Sequence, residues 1–100
     1  MKADYDSKAN ALLIQLLAPG LSDGAVEIDD TYCHAETRKG RVANIELLNP
    51  ADHLDLLKRA AARLDLDHEA LLATAEAALA APDRQVTVEV AGVAAPATAA

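Results

Sequence analysis

The chain has 100 residues, which is enough for one domain and too few for two. Its 16 acidic and nine basic residues give a formal net charge of −7, and neither half of the chain is basic. Nucleic-acid phosphates and anionic membrane surfaces both attract clustered Lys and Arg. The densest basic group is Arg38, Lys39 and Arg41, which we interpret as a solvated turn. The composition therefore argues against a nucleic-acid partner and against a membrane partner.

The N-terminal residues and the single cysteine bear on the compartment of the protein. Residues 1–4 run into a polar segment, without the apolar core of a secretory signal peptide. The longest apolar run is only a few residues, too short to cross a membrane. Cys33 has no second cysteine with which to form an internal disulfide, which fits a reducing compartment. We therefore expect a cytoplasmic protein.

The apolar residues predict a thin hydrophobic core. Alanine supplies 24 of the hydrophobic residues, Leu, Ile and Val together supply another 24, and Phe and Trp are absent. Because an alanine side chain buries little area, few side chains carry most of the hydrophobic stabilisation. Burial of further leucine surface in a homodimer would add to such a core.

Alternating apolar and polar residues predict β-strands in the first half of the chain. The predicted strands are residues 2–6, 11–17, 25–29, 32–37 and 41–48. Residues typical of turns separate them, among them Pro19-Gly20 and Lys39-Gly40. The Lys39-Gly40 turn predicts a β-hairpin over residues 32–48.

The second predicted strand is apolar on both of its faces. Leu12, Ile14 and Leu16 share one face, whereas Leu13 and Leu17 share the other. Such a strand is either central to the fold or part of a subunit interface. Leu13 and Leu17, if exposed together, would form an apolar patch larger than monomers usually carry. We therefore predict a homodimer with Leu13 and Leu17 as its candidate interface.

Two amphipathic helices are predicted after the strands. Asn49 suits the N-cap and Pro50 the first position of a helix that continues to residue 64. Asp65 or Asp67 caps a second helix, which ends at about residue 81, before a proline. The apolar stripes contain Leu54, Leu57, Ala61 and Leu64 in the first helix, and Leu71, Leu72, Ala75 and Leu79 in the second.

The residues after the second helix predict one more strand and a tail. Residues 84–90 alternate again and predict a final strand, whereas residues 92–100 lack periodicity and predict a disordered tail. The short connections force neighbouring elements to run antiparallel. The prediction is one α+β domain over residues 1–91, with an antiparallel β-meander of four to five strands (1–49), two antiparallel helices on one face (50–81) and an extra C-terminal strand (84–91).

Three segments of the first half form a recognisable pattern. They are Met1-Lys2-Ala3-Asp4-Tyr5-Asp6, Asn10-Ala11-Leu12-Leu13-Ile14 and Gly40-Arg41-Val42-Ala43-Asn44-Ile45-Glu46-Leu47-Leu48-Asn49. Over about residues 1–49 this pattern resembles the DUF2283 group, small bacterial domains of unknown function. Two departures are Leu13, where an aromatic residue is common, and the basic turn at Lys39, where an acidic one is usual. The resemblance implies a small meander sheet in an accessory module, in some members associated with toxin–antitoxin-type operons.

Cys33 and His34 are the pair that most suggests chemistry, because a thiolate beside an imidazole can act as a nucleophile or bind a metal. Adjacent residues of a strand point to opposite faces, however, so we expect a buried Cys33 and an exposed His34. His34, His53 and His68 lack the spacing of metal ligands. We therefore predict no catalytic residue, no metal and no cofactor.

Asn44 and Glu46 project from one face of the predicted strand 41–48, so they face solvent or line a shallow groove. The first functional hypothesis is a non-catalytic accessory or protein-interaction module that acts as a homodimer, antitoxin-like by analogy with the family. The second is a small-molecule-binding domain or a small enzyme, with a pocket between sheet and helices. A DNA-binding helix pair is disfavoured, because the second predicted helix carries Glu69 and Glu76 and no Lys or Arg.

Overall fold

The computed structural model of the protein describes residues 1–89, in which six strands and two α-helices follow one another. The strands are β1 (Lys2–Asp6), β2 (Ala11–Gln15), β3 (Gly24–Asp29), β4 (Cys33–Arg38), β5 (Arg41–Leu48) and β6 (Gln85–Thr87). The helices between β5 and β6 are a short 3₁₀ helix (Pro50–Asp52), α1 (Asp55–Leu64) and α2 (His68–Ala80). The predicted α+β fold is confirmed. Val90, the last residue of the predicted final strand, and the predicted tail lie outside the described residues.

The six strands form one antiparallel sheet in the order β3-β4-β5-β2-β1-β6. The sheet is therefore not one continuous meander, because β2 pairs with β5 rather than with β3. This pairing places Leu12 beside Leu47 and Ile14 beside Ile45 at the centre of the sheet. Joining the two most apolar strands buries more surface than pairing β2 with the exposed strand β3 would.

The helices cover one face of this sheet. α2 contacts β1, β2 and β6, and α1 contacts β3. The largest fully buried side chains between the layers are those of Leu12, Ile14, Ile45, Leu47, Leu57 and Leu71. Small residues of α2, namely Ala70, Ala75 and Ala78, are also buried, which allows the helix to approach its neighbours closely. Leu57 takes its predicted core position, whereas Leu72 is only partly buried, because Leu71 occupies the inner face of α2.

The segment after β5 differs from the predicted helix over residues 50–64. Asn49 adopts a left-handed conformation (φ 48°) and makes no side-chain capping bond, and the first turn is a 3₁₀ turn. The backbone N–H of His53 donates to the Pro50 carbonyl, and α1 starts only at Asp55. The predicted cap of the second helix is confirmed, because the Asp67 side chain accepts from the Ala70 N–H at 3.0 Å.

The end of β2 also differs from its prediction. The strand ends at Gln15 because the N–H groups of Leu16 and Leu17 both donate to the Ala43 carbonyl, at 2.9 and 3.1 Å. Two residues of β2's continuation thus oppose one residue of β5, which is the pattern of a β-bulge. Regular alternation therefore stops before Leu17.

Side chains protect the outer strand β3 from pairing with another chain. Arg59 and Arg63 of α1 donate to the backbone carbonyls of Ile28 and Glu27, each at 3.2 Å. Exposed strand edges attract other strands, and charged side chains are a common means of blocking this pairing. Among residues 1–89, no helix is both long and apolar enough to cross a membrane.

Candidate functional site

The face of the sheet opposite the helices is the surface on which the structure gathers most of the candidate residues. We call it the open face. Cross-strand pairing places five side chains side by side in one row, one from each of five neighbouring strands. These side chains are Asp4, Leu13, Glu46, His34 and Glu27. A second row contains Lys2, Gln15, Asn44, Glu36 and Ala25. Leu48, two residues beyond Glu46 on β5, lies diagonal to Leu13.

Hydrogen bonds hold the polar centre of the open face in place. The Asn44 Nδ2 donates to Glu36 Oε1 at 2.9 Å. Hydrogen bonds from the Asn44 and Ser22 side chains lower the pKa of the Glu36 carboxyl. The His34 Nδ1 lies 3.7 Å from Glu46 Oε1, and both side chains are open to solvent, at 44% and 39% exposure. The predicted pair Asn44 and Glu46 therefore lies within a charged surface rather than in an enclosed groove.

The charges of the open face are mostly negative. The carboxylates of Asp4, Glu27, Glu36 and Glu46 outnumber the one lysine of the two rows, Lys2. Leu13 lies between Asp4 on β1 and Glu46 on β5, and is half-buried. Leu13 thus has an acidic residue on each side, and Leu48 lies next to it on the diagonal.

The two residues of the predicted dimer interface have different surroundings. Leu13 lies on the open face, whereas Leu17 follows the β-bulge at the end of β2. Leu17 lines a surface cavity of about 340 Å³, together with Met1, Leu16, Ala18 and Pro19 among others. Gln15 lies between the two leucines along the strand. The cavity also includes Lys2 and Gln15 of the second row of the open face, so Leu17 lies at the margin of that face and each leucine needs its own test.

Cys33 and His34 take opposite faces, as the strand alternation predicts. Cys33 is 2% exposed and belongs to the core beneath the helices, whereas His34 lies on the open face. Burial, together with the nearby Asp29 carboxylate, raises the pKa of the Cys33 thiol to about 11. A thiol of this kind is protonated at neutral pH and is a poor nucleophile.

Asp29 closes the turn between β3 and β4. Its Oδ2 accepts from the backbone N–H groups of Tyr32 and Thr31, at 2.9 and 3.1 Å. These two hydrogen bonds, followed by the Arg59 charge, lower the pKa of the Asp29 carboxyl. Asp29 therefore fixes the turn, and the neighbouring Asp30 accepts a hydrogen bond from the Thr31 hydroxyl at 3.2 Å.

A polar network at the β1–β2 turn joins residues that the sequence did not connect with one another. The Tyr5 hydroxyl donates to Asn10 Oδ1 at 2.7 Å, and Asn10 Nδ2 donates to Asn49 Oδ1 at 2.9 Å. His53 Nδ1 donates to the Asn49 carbonyl at 2.9 Å, and the His53 ring stacks on Tyr32 at 3.9 Å. Both asparagines have positive φ, a conformation that Asn tolerates better than most residues.

This network gives a structural role to three residues of the first half. Tyr5, Asn10 and Asn49 all belong to the pattern on which the DUF2283 resemblance rests. Their side chains join two left-handed backbone positions, Asn10 directly before β2 and Asn49 directly after β5. The signal that could have identified them was the pairing of two asparagines in turn contexts.

Within residues 1–89, no group of three or more His, Cys, Asp or Glu side chains is arranged to hold a metal ion. Comparison of the chain with protein-family models, curated proteins and solved structures gives no match. The DUF2283 resemblance therefore stays a prediction.

Proposed function

We propose that the protein is a non-catalytic accessory module that acts as a homodimer and binds a basic segment of a partner protein on its open face. The observation that carries the proposal is the half-buried Leu13 between the carboxylates of Asp4 and Glu46, with Leu48 on its diagonal and two more carboxylates, Glu27 on β3 and Glu36 on β4, further along the same face. Acidic groups beside apolar side chains complement a segment in which basic and apolar residues alternate.

The two edge strands of the sheet offer few backbone groups for pairing with a partner strand. This favours the open face, rather than an edge strand, as the binding surface. Arg59 and Arg63 occupy backbone carbonyls of β3, and β6 has only three residues. Addition of a partner strand requires free backbone groups along an edge. The open face instead offers side chains, already ordered by the hydrogen bond between Asn44 and Glu36.

The family resemblance and the single cysteine fit the same proposal. An accessory module of the DUF2283 type, antitoxin-like by analogy, would act by binding another protein. The free Cys33 suits a reducing compartment, so we place the module in the cytoplasm.

The proposed binding can be tested with a fluorescein-labelled peptide of alternating arginine and leucine, followed by fluorescence anisotropy. We expect binding that weakens as the ionic strength rises from about 0.05 M to 0.5 M, because salt screens exposed charges. The double variant E27Q/E46Q removes two carboxylates of the open face. Exposed ion pairs contribute about 0.2–1 kcal/mol each, so affinity should fall roughly two- to thirty-fold.

The matched control is E69Q/E76Q, which removes two carboxylates from α2 on the covered side of the sheet. It has the same net charge as E27Q/E46Q, so a general charge effect would weaken both variants equally. Equal affinities for the two variants, or no binding of the peptide to the unmodified protein at low salt, would contradict the proposal.

The alternative hypothesis of a ligand pocket between sheet and helices receives less support from the packing. Ile14, Ile45 and Leu57 in this layer are fully buried, so side chains fill the space that a ligand would need. Ligand pockets are usually lined by aromatic and other large apolar groups, and α2 presents mainly alanines to the sheet. A metabolite retained through purification and seen by native mass spectrometry would favour the alternative.

A further inference from the structure

The end of the sheet formed by the start of β1 and the loop after β2 carries an exposed apolar surface. We call it the apolar end and define it by Met1, Leu16, Leu17, Pro19 and Leu21. Leu21 is 92% exposed, more than any other large hydrophobic side chain in residues 1–89. Pro19, which lines the cavity of about 340 Å³, is two residues from Leu21 along the same loop. The apolar end thus combines a projecting leucine with a hollow lined by apolar side chains.

The loop that carries Leu21 is held in one conformation by Arg38. The Arg38 Nε donates to the Leu21 carbonyl at 3.1 Å, and its Nη2 donates to the Ala18 carbonyl at 2.9 Å. The guanidinium packs so closely that a Cβ atom at Gly20 would lie 3.0 Å from its central carbon. The backbone N–H of Asp23 also donates to the Thr37 carbonyl at 2.9 Å. An ordered loop loses less conformational entropy on association than a mobile one.

The charges of the two uncovered surfaces determine which of them suits contact with a second copy. A two-fold contact brings a surface against itself, so like charges on it face one another. The open face carries four carboxylates and would repel its copy. The cavity at the apolar end has no acidic residue in its lining, and its charged groups are the Lys2 side chain and the Met1 amino group, which donates to the Val88 carbonyl.

We propose that two copies of the chain associate through the apolar end, with Leu21 of each copy packed against the cavity of the other. This inference rests on the proposed homodimer and names its surface. In a two-fold contact, the projecting side chain of each copy can fill the cavity of the other, so the same pair of features is used twice. The open face then stays free on both copies to bind the partner protein.

Light scattering after size-exclusion chromatography, at micromolar to 100 µM protein, tests this surface. We expect twice the chain mass of 10.4 kDa for the unmodified protein. L21K and L17K should raise the dimer dissociation constant at least tenfold, because each places a charge in the contact. L13K, on the open face, is the matched control and should stay dimeric. Leu21 is so exposed that L21K should fold normally, which circular dichroism would check.

Three results would overturn the inference. One is a monomer mass for the unmodified protein over the whole concentration range. The second is a dimer that L21K and L17K leave intact. The third is dissociation by L13K, which would assign the contact to the open face. The arginine–leucine peptide separates the two proposals, because L21K should bind it as the unmodified protein does.

Discussion

The two faces of the sheet are built from the same strands and differ in almost every other respect. Leu12 and Leu13 are neighbours on β2, yet Leu12 is fully buried beneath the helices and Leu13 lies between two carboxylate-bearing strands. On β5, Ile45 is fully buried while Glu46 faces His34. One strand can therefore supply both the core and a charged surface, because its side chains alternate between the faces. Stability is concentrated on the covered face, which leaves the side chains of the open face available for binding.

The thin core increases the difference between the two faces in their contribution to stability. α2 contributes Ala70, Ala75 and Ala78 to the buried layer, so a few large side chains account for most of its apolar area. Loss of one of them removes a larger share of the core than in a protein rich in aromatic residues. Substitutions on the two faces should consequently have very different effects.

Thiol labelling should show the largest difference between the faces. At pH 7 a thiol with a pKa of about 11 is ionised in roughly one molecule in 10⁴, and burial of Cys33 further restricts access. The variant C33S/H34C moves the thiol one residue along β4, to the open face. We expect native Cys33 to react with a maleimide reagent more than about 100-fold more slowly than this variant, because an exposed thiol ionises to a few per cent.

The labelling experiment has an internal control, because Cys33 should become reactive in denaturant. Fast labelling of Cys33 in the native protein at neutral pH would contradict its place in the core. It would also indicate that the adjacent Cys33 and His34 can act as a reactive pair.

The second largest difference between the faces should be in stability. Alanine substitutions at the two leucines of β2 should lower the free energy of unfolding by very different amounts. L12A removes a fully buried side chain and should lower the free energy of unfolding by about 2–5 kcal/mol. L13A truncates a half-buried side chain on the open face and should cost less than about 1 kcal/mol. Urea denaturation measures both. Equal losses would mean that another element covers the open face.

The pH dependence of stability should report on the turn that Asp29 closes. Its folded pKa lies below the ordinary value of 3.8, so the ionised carboxylate stabilises the fold above about pH 4. This contribution is lost as the pH falls through the lowered pKa. D29N should therefore be less stable than the unmodified protein at pH 7, and the difference should shrink towards pH 2.

The matched control for this experiment is D30N, which removes the same charge from the same turn. Asp30 accepts a hydrogen bond from the Thr31 hydroxyl, whereas Asp29 accepts the two backbone N–H groups. A larger loss of stability at pH 7 for D30N than for D29N would show that the backbone hydrogen bonds do not hold the turn.

The smallest effect is expected at the turn between β4 and β5. Lys39 and Gly40 both have positive φ, at 51° and 76°, which is the two-residue turn that Asn-Gly fits best. K39N should raise the free energy of unfolding by about 0.5–1 kcal/mol, because Asn adopts this conformation with less strain than Lys. K8N, in the turn between β1 and β2, is the control and should change little. No gain from K39N would indicate that the lysine side chain stabilises the turn in another way.

Features set by neighbouring residues were predictable from the sequence, and features set by distant pairing were not. The alternation in β5, the Lys39-Gly40 turn and the Asp67 cap are local and agree with the structure. The pairing of β2 with β5 depends on which distant strands bury each other, and no turn specifies it. The alternation of apolar and polar residues likewise gives no sign of the bulge at Leu16 and Leu17. Both leucines were therefore predicted to continue the strand.

The candidate site follows the same division. Alternation correctly placed Asn44 and Glu46 on one face of their strand, and Cys33 and His34 on opposite faces. The acidic surroundings of Leu13 depend on the neighbouring strands β1 and β5. The sequence alone therefore grouped Leu13 with Leu17, whereas in the structure Leu13 lies between Asp4 and Glu46 and Leu17 lines the cavity after the β-bulge. The left-handed Asn49 was missed because Asn-Pro suits a helix N-cap equally well.

A methyl-resolved NMR titration with the arginine–leucine peptide tests most directly whether the open face receives a basic partner. Leu13 and Leu48 report on the open face, while Leu12 and Leu71 report on the core beneath the helices. We predict that the methyl signals of Leu13 and Leu48 shift progressively with peptide concentration, that those of Leu12 and Leu71 stay in place, and that E27Q/E46Q reduces the shifts. Shifts confined to the core leucines or to Leu21, with Leu13 and Leu48 unchanged, would contradict binding on the open face.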